Sequence, residues 1–216
     1  MKKRFLNGKY WINEDHFRVA IFGSARIKKG DSRYNQVRRL AKMIAEENMD
    51  IVTGGGPGLM EAANSGHKEG SKKHKTHSFG LTIKLPKEQK TNKHLDIRKD
   101  FNKFSQRLDE FMILSNAVVV APGGLGTTLE FFYALQLTQV KHICDIPIIL
   151  MGKQWKPLIN WIENYPLKRG FLNKEDLHNI FIAKDEKQAM EILKMTHEQY
   201  LKGDKNACIN IKKYRI

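Results

Sequence analysis

The sequence predicts an α/β domain: an open, mostly parallel sheet with helices on both faces. Three observations predict it. Short apolar runs alternate with longer segments whose apolar residues recur at helical spacing. One run, Ala117-Val118-Val119-Val120-Ala121, is continuous rather than alternating, as in a strand covered on both faces. Glycine turns stand where several of these strands hand over to a helix.

In order, Phe17 to Gly23-Ser24 reads as a first strand, and the spacing of Tyr34, Val37, Leu40, Ala41 and Ile44 as one face of a helix. Asp50-Ile51-Val52-Thr53 and a helix from Pro57 follow, then a strand from Phe79 to Leu85 and a basic loop. Phe101, Phe104, Leu108, Phe111 and Met112 predict one helix stripe leading into the Ala117 strand, with a further helix from Gly126 to about Lys141. Ile146 to Met151 predicts a strand, Trp155 to Tyr165 a helix, Asn179 to Ala183 a last strand and Asp185 to Leu201 a closing helix. No linker or repeat interrupts 1–216, so one domain with basic tails, 1–16 and 203–216, is expected.

The chain of 216 residues is 41% hydrophobic and carries a formal charge of +15, which fits a globular domain and disfavours disorder. It contains no uncharged apolar stretch of about 18 residues, and Met1 to Lys9 lacks the apolar stretch of a signal peptide. No membrane span and a cytoplasmic location are therefore expected. Cys144 and Cys208 are the two cysteines, too few for a disulfide framework or a zinc site. The positive charge is localised. Residues 1–9 and 205–216 each hold four basic groups and no acid, residues 68–103 hold eleven basic groups against four acids, and the remaining body balances. Few aromatic residues stand among these basic groups, Phe79 on a predicted strand being one, which disfavours a single-strand nucleic-acid platform and leaves a solvated surface or a positive rim.

Open parallel sheets bind ligands at the carboxyl ends of their strands, and three such ends carry glycine: Gly23-Ser24, Gly54-Gly55-Gly56-Pro57-Gly58 and Pro122-Gly123-Gly124-Leu125-Gly126-Thr127-Thr128. In the third, unobstructed amides, the helix dipole and the Thr127 and Thr128 hydroxyls together form a phosphate-binding turn. Tight strand-to-helix turns are the alternative use of such glycines. The loops lack the dinucleotide fingerprint and the triphosphate Gly-Lys-Ser/Thr ending, which disfavours hydride transfer and triphosphate hydrolysis. Glu130 lies just inside the helix after this turn, able to face the same crevice or to complement the helix dipole. Arg107 stands on the apolar stripe of its helix, where a guanidinium requires a phosphate or an acidic partner.

Gly54-Gly55-Gly56-Pro57-Gly58-Leu59-Met60-Glu61-Ala62, Arg107, and Pro122-Gly123-Gly124-Leu125-Gly126-Thr127-Thr128-Leu129-Glu130 together resemble the Lonely Guy family. That family comprises cytokinin riboside 5'-monophosphate phosphoribohydrolases and bacterial nucleotide 5'-monophosphate nucleosidases, often labelled lysine decarboxylases. The resemblance runs from about Val19 to Ile182. It implies a Rossmann-like fold, homodimers or larger assemblies, and hydrolysis of the bond between a base and ribose 5-phosphate, with Arg107 and Glu130 as the catalytic pair. Leu108 stands where the family's arginine is usually followed by lysine, and the Gly54–Gly58 spacing is that of the bacterial branch, which points away from cytokinin specificity.

Cleavage of an N-glycosidic bond passes through an oxocarbenium-like ribose, which a carboxylate stabilises while orienting or deprotonating water. Glu130 suits that role. The amides of Gly123, Gly124, Gly126 and Thr127 anchor the 5'-phosphate in this reading, Arg107 assists the departing base, and Gly23, Ser24, Thr53, Gly54, Gly55, Gly56, Gly58 and Met60 form the remaining nucleotide wall. The expected substrate is AMP or a related purine nucleotide, with no metal or cofactor. A non-catalytic nucleotide or molybdenum-cofactor carrier of the same fold is the alternative. Lysine decarboxylation ranks last, because no lysine stands in the glycine loops to anchor pyridoxal phosphate.

Overall fold

In the computed structural model, which describes residues 3–6, 10–13, 16–84 and 90–203, the runs of Val, Ile and Ala become the middle of one sheet. Strands β3 (Arg18–Phe22), β4 (Asp50–Thr53), β7 (Ala117–Val120) and β8 (Ile148–Met151) are buried at every residue. Helices cover both faces. Strand β5 (Ser78–Ile83) lies outside β4, while β6 (Ile97–Phe101) and β9 (Ile180–Ala183) form the edges. All seven strands pair in parallel, in the order β6-β5-β4-β3-β7-β8-β9, a Rossmann-like sheet with one added edge strand.

Period-two alternation divides the core between the two faces. Ala20, Phe22, Val118, Val120, Ile148 and Leu150 join Phe111, Phe131 and Trp155 in one cluster. This cluster lies beneath α3 (Phe104–Leu114), α4 (Leu125–Gln139) and α5 (Trp155–Ile162). Val19, Ile21, Val119, Ile149 and Met151 join Val37, Leu40 and Ile44 in the other. Helices α1 (Ser32–Glu46), α2 (Leu59–Gly70) and α6 (Glu186–Leu201) cover it. Arg107 and Glu130 therefore rise from helices on the same face.

Three features depart from the expected layout. Phe101 does not belong to α3: it ends β6, paired with Ile83. Ile97 and Phe101 are both buried in β6, and an i, i+4 spacing fits one face of a strand as well as one face of a helix. The charged Arg98, Lys99 and Asp100 between them are tolerated at a sheet edge, which hides the strand from a periodicity reading. Phe104 is half-exposed rather than part of a buried stripe. The amino-terminal segment, expected as a tail, contains an antiparallel pair of strands, β1 (Lys3–Leu6) and β2 (Tyr10–Asn13), with Lys3 opposite Asn13. The tail beyond residue 203 lies outside the described residues.

Helices α1 and α2 approach backbone to backbone through glycines no motif flagged. A Cβ on Gly66 would collide with the Arg38 carbonyl oxygen, and one on Gly70 with that of Lys42, one turn along each helix. Neither obstacle is a side chain that can swing away. Gly66→Ala is expected to cost about 3 kcal/mol or more, seen as an equally large fall in the free energy of urea unfolding.

Candidate active site

The chain moves outward from β3 through β4 to β5 and β6, then returns by α3 to β7 on the other side of β3. The direction of winding reverses between β3 and β7, and loops leaving their carboxyl ends diverge to open a crevice. A cavity of about 520 Å³ occupies it.

One wall is the turn from β7 into α4. Gly124 caps the helix without a side-chain hydrogen bond, so the capping residue supplies no acceptor to the first-turn amides. Gly124 and Gly126 line the cavity, and a Cβ at either would meet no protein atom. Neither has a positive φ. Turn geometry thus gives no reason for glycine at these two positions, whereas unobstructed backbone facing the cavity does. Gly123 differs: it does not line this cavity, a Cβ there would collide with Thr127, and its carbonyl accepts a hydrogen bond from the Gln154 side-chain amide at 2.9 Å. Of the two threonines, Thr127 is buried and lines the cavity. Thr128 does not, because its hydroxyl donates to the Gly124 carbonyl at 3.1 Å.

Glu130 and Arg107 form the floor. The Arg107 Nε donates to the Leu81 carbonyl at 2.7 Å, and its guanidinium lies over the Phe111 ring, 5.1 Å from the centroid. Its Nη1 is 3.6 Å from Glu130 Oε1, an ion pair too long for a hydrogen bond. Among the described residues no hydrogen-bond donor reaches the Glu130 carboxylate. Burial pushes the Glu130 pKa up to about 7, and the attraction of Arg107 only partly opposes it. Burial likewise lowers the Arg107 pKa, opposed by Glu130, from a value so high that the guanidinium stays charged. Desolvation therefore outweighs pairing at both partners. The two open alternatives for these residues converge, since the acidic partner of Arg107 is Glu130 itself.

The remaining predicted residues divide. Gly23, Ser24, Gly54 and Met60 line the main cavity. Gly55 and Gly56 instead line an adjoining chamber of about 110 Å³, which shares Gly54, Met60 and Arg107 with the first. Thr53 and Gly58 line neither, contrary to expectation. The Thr53 hydroxyl donates to Asn64 Oδ1 at 2.9 Å and accepts the Gly55 amide at 3.0 Å, so it shapes the loop from within. Asn92 braces the same loop, donating to the Gly56 carbonyl at 3.0 Å. Gly58 has φ +70°, and a Cβ on it would collide with the Ser24 carbonyl, which accepts the Leu59 amide at 2.9 Å. This glycine lets two loops touch.

Arg26, Ala25 and Leu125 also line the main cavity, and Thr82, Thr91 and Phe104 the smaller chamber. The sequence reading missed all of them. Arg26 carried a usable signal, an arginine two residues beyond a strand-end Gly-Ser; the others depend on how neighbouring loops pack. Among the described residues no lysine of the 68–103 segment lines either space, and Lys99 and Arg98 are spent on Glu110 and Asp100, each at 2.8 Å. Also among the described residues, no His, Cys, Asp and Glu cluster suits a metal ion, and no helix is long and apolar enough to cross a membrane.

Gly54 is sterically committed to the pair. A Cβ there would collide with Arg107 Nη2 and lie 2.7 Å from Met60 Sδ, and the guanidinium could retreat only by straining its hydrogen bond to the Leu81 carbonyl. Gly54→Ala is expected to displace the guanidinium and lower turnover at least tenfold, with an unfolding free energy reduced by only about 1–2 kcal/mol. Equal turnover in both proteins would contradict the placement.

The chain is also similar to known proteins. The family model described as "Possible lysine decarboxylase" matches residues 60–193, more than half of the chain. A protein of Oryza sativa subsp. japonica described as a "Probable cytokinin riboside 5'-monophosphate phosphoribohydrolase" is 27% identical over 190 residues, covering 86% of this chain and 75% of its own. The pyrimidine/purine nucleotide 5'-monophosphate nucleosidase of Escherichia coli K12 is 30% identical over 143 residues, 62% of this chain but only 30% of that longer relative. Among solved structures, the molybdenum cofactor binding protein of Rippkaea orientalis matches with a TM-score of 0.63 at 20% identity, covering 83% of this chain and 96% of its own. DNA processing protein A of Helicobacter pylori matches with a TM-score of 0.51 at 16% identity, covering 83% and 80%. These two share the fold. With the glycine turns, Arg107 and Glu130 gathered in one crevice and the family model spanning residues 60–193, the chain belongs to the Lonely Guy family, whose model bears the lysine decarboxylase description.

Proposed function

We propose that the protein hydrolyses the N-glycosidic bond of a nucleoside 5'-monophosphate, AMP or a related purine nucleotide, to free base and ribose 5-phosphate. The observation that carries this reading is the position of Glu130: a largely buried carboxylate beside Arg107, one turn of α4 beyond the unobstructed amides of Gly124 to Thr127. One turn is a rise of roughly 5–6 Å, which suits the reach from a 5'-phosphate to the anomeric carbon of the same ribose.

With the phosphate at the start of α4, the ribose lies against Glu130. The bond from the anomeric carbon to the base nitrogen breaks and the base leaves with the electron pair. The ionised carboxylate stabilises the cationic sugar, and water attacks the same carbon while giving its proton to Glu130. The base takes up a proton at the nitrogen that left. Arg107 keeps a population of Glu130 ionised near neutrality and faces the leaving base from the wall shared by the two chambers. The relatives named for this chemistry support the assignment. Pyridoxal-dependent decarboxylation receives no such support, since no lysine lines the cavity among the described residues. Leu125, 90% exposed, with half-exposed Leu129 on α4 and Val140 just beyond its end, gives this helix apolar outer positions, which supports the expected homodimer.

Incubation with AMP, GMP, CMP, UMP and cytokinin riboside monophosphates, followed by detection of free base and ribose 5-phosphate, tests the proposal. Release from a purine nucleotide is expected. A nucleotide or pterin phosphate retained intact, with no product from any substrate, would establish a carrier instead.

A further inference from the structure

The proposed reaction leaves a charge problem that the residues described so far do not solve. A phosphate monoester is close to dianionic at neutral pH. Placed at the start of α4 it lies within a turn of Glu130, and both negative groups share a partly desolvated crevice. The helix terminus supplies about half a positive charge. Arg107 is already committed to the Leu81 carbonyl and to Glu130. Among the described lining residues, one other cation remains, Arg26.

Arg26 is exposed and lies on the loop leaving β3. Strands β3 and β7 are direct neighbours, with Phe22 opposite Val120, so this loop and the Gly124–Thr127 turn leave the sheet side by side. The loop's stem is fixed. The Ser24 amide donates to the Pro122 carbonyl at 3.0 Å, the Ser24 carbonyl accepts the Leu59 amide at 2.9 Å, and the Ser24 Oγ accepts the amide of Arg26 at 3.1 Å. Two cations further along the chain are spent elsewhere, Lys29 lying 3.1 Å from Glu61 and Arg33 2.6 Å from Asp31, and Lys28 on the same loop does not line the cavity. Arg26 has no ion-pair partner among the described residues. Across the crevice Thr127, 4% exposed, lines the cavity with no hydrogen-bond partner for its hydroxyl among those residues.

We infer that Arg26 is the phosphate-recognition residue of this site, gripping the 5'-phosphate dianion from the side opposite the start of α4 and selecting nucleotides over nucleosides. The inference rests on the proposed reaction for its substrate, but the binding of a phosphate group is testable apart from turnover. A guanidinium offers paired donors matched to phosphate oxygens, so lysine replaces it only in part. Because the group is solvent-facing, its contribution weakens with salt.

Calorimetric titration of ribose 5-phosphate into the wild-type protein, Arg26→Ala and Arg26→Lys, at low and moderate ionic strength, provides the test. Arg26→Ala is expected to weaken ribose 5-phosphate binding roughly 10- to 100-fold, Arg26→Lys to recover part of the loss, and the difference to shrink with salt. Thermal midpoints should match, and adenosine binding should be the same in all three. The same variant should raise the Michaelis constant for AMP more than it lowers kcat. Unchanged ribose 5-phosphate affinity in Arg26→Ala, an equal loss for adenosine, or no ribose 5-phosphate binding by the wild type would each overturn the assignment. If no nucleotide is hydrolysed, the proposed reaction fails, yet loss of ribose 5-phosphate binding in Arg26→Ala still upholds Arg26.

Discussion

Glu130→Gln is expected to lower kcat about a thousandfold and, at the same time, to make the protein more stable at alkaline pH. The first effect follows from the proposed chemistry, because an amide carries no charge for the developing ribose cation and accepts no proton from water. The second follows from the carboxyl's surroundings. Its ordinary value of 4.5 is raised by burial to about 7. Between those limits the unfolded chain has released a proton that the folded chain still holds, so stability falls as pH rises through this window and stays reduced above it. Glutamine resembles the protonated acid and lacks the penalty. Urea unfolding of the two proteins should agree near pH 4 and diverge at pH 8, with the variant more stable by up to about 3 kcal/mol. Equal stabilities at both pH values would show that the carboxylate is not desolvated. The wild-type kcat/KM should also fall about tenfold per unit below pH 7 and level off above it, where Glu130 is ionised.

Arg107→Ala should produce the second-largest change, about a hundredfold loss of kcat near pH 7. Its diagnostic is the pH profile. Arg107 holds the Glu130 pKa below the value that burial alone would impose, so removing the cation moves the rising limb of the rate profile to higher pH and raising the pH recovers part of the rate. Arg107→Lys restores the charge but not the fork that reaches the Leu81 carbonyl and Glu130 together. It should return the limb towards pH 7 while leaving kcat low. The stability cost of Arg107→Ala is expected at about 1–3 kcal/mol, from the unpaired Leu81 carbonyl and lost contact with Phe111. It stays moderate because the abandoned carboxyl takes up a proton instead of remaining a buried charge. A limb that does not move in Arg107→Ala would show that the two groups are not coupled.

How much of this was legible varied with the kind of constraint. The interior strands were readable because burial on both faces leaves a continuous apolar run, as in Ala117 to Val120. Strand β6 was not, since an edge needs only Ile97 and Phe101 inside and accepts charge between them. The phosphate turn was readable as a string, yet the string does not separate Gly124 and Gly126, whose bare backbone faces the cavity, from Gly123, whose missing Cβ makes room for Thr127. Nor does it distinguish Thr127 from Thr128: which hydroxyl faces inward depends on the phase of α4 against the sheet.

By itself the sequence determined the α/β class, the place of the glycine turns at strand ends, and the identity of Arg107 and Glu130 as the unusual charged residues. These follow from local rules: periodicity, backbone freedom and the cost of placing a guanidinium on an apolar face. Tertiary structure alone decided that β3 and β7 are neighbours, that α3 and α4 bring Arg107 and Glu130 to 3.6 Å on one face, and that Arg26 reaches the same cavity. The physical reason is that pairing, desolvation and cavity shape arise between segments far apart in the chain, and a raised carboxyl pKa has no meaning until the walls that exclude water are in place.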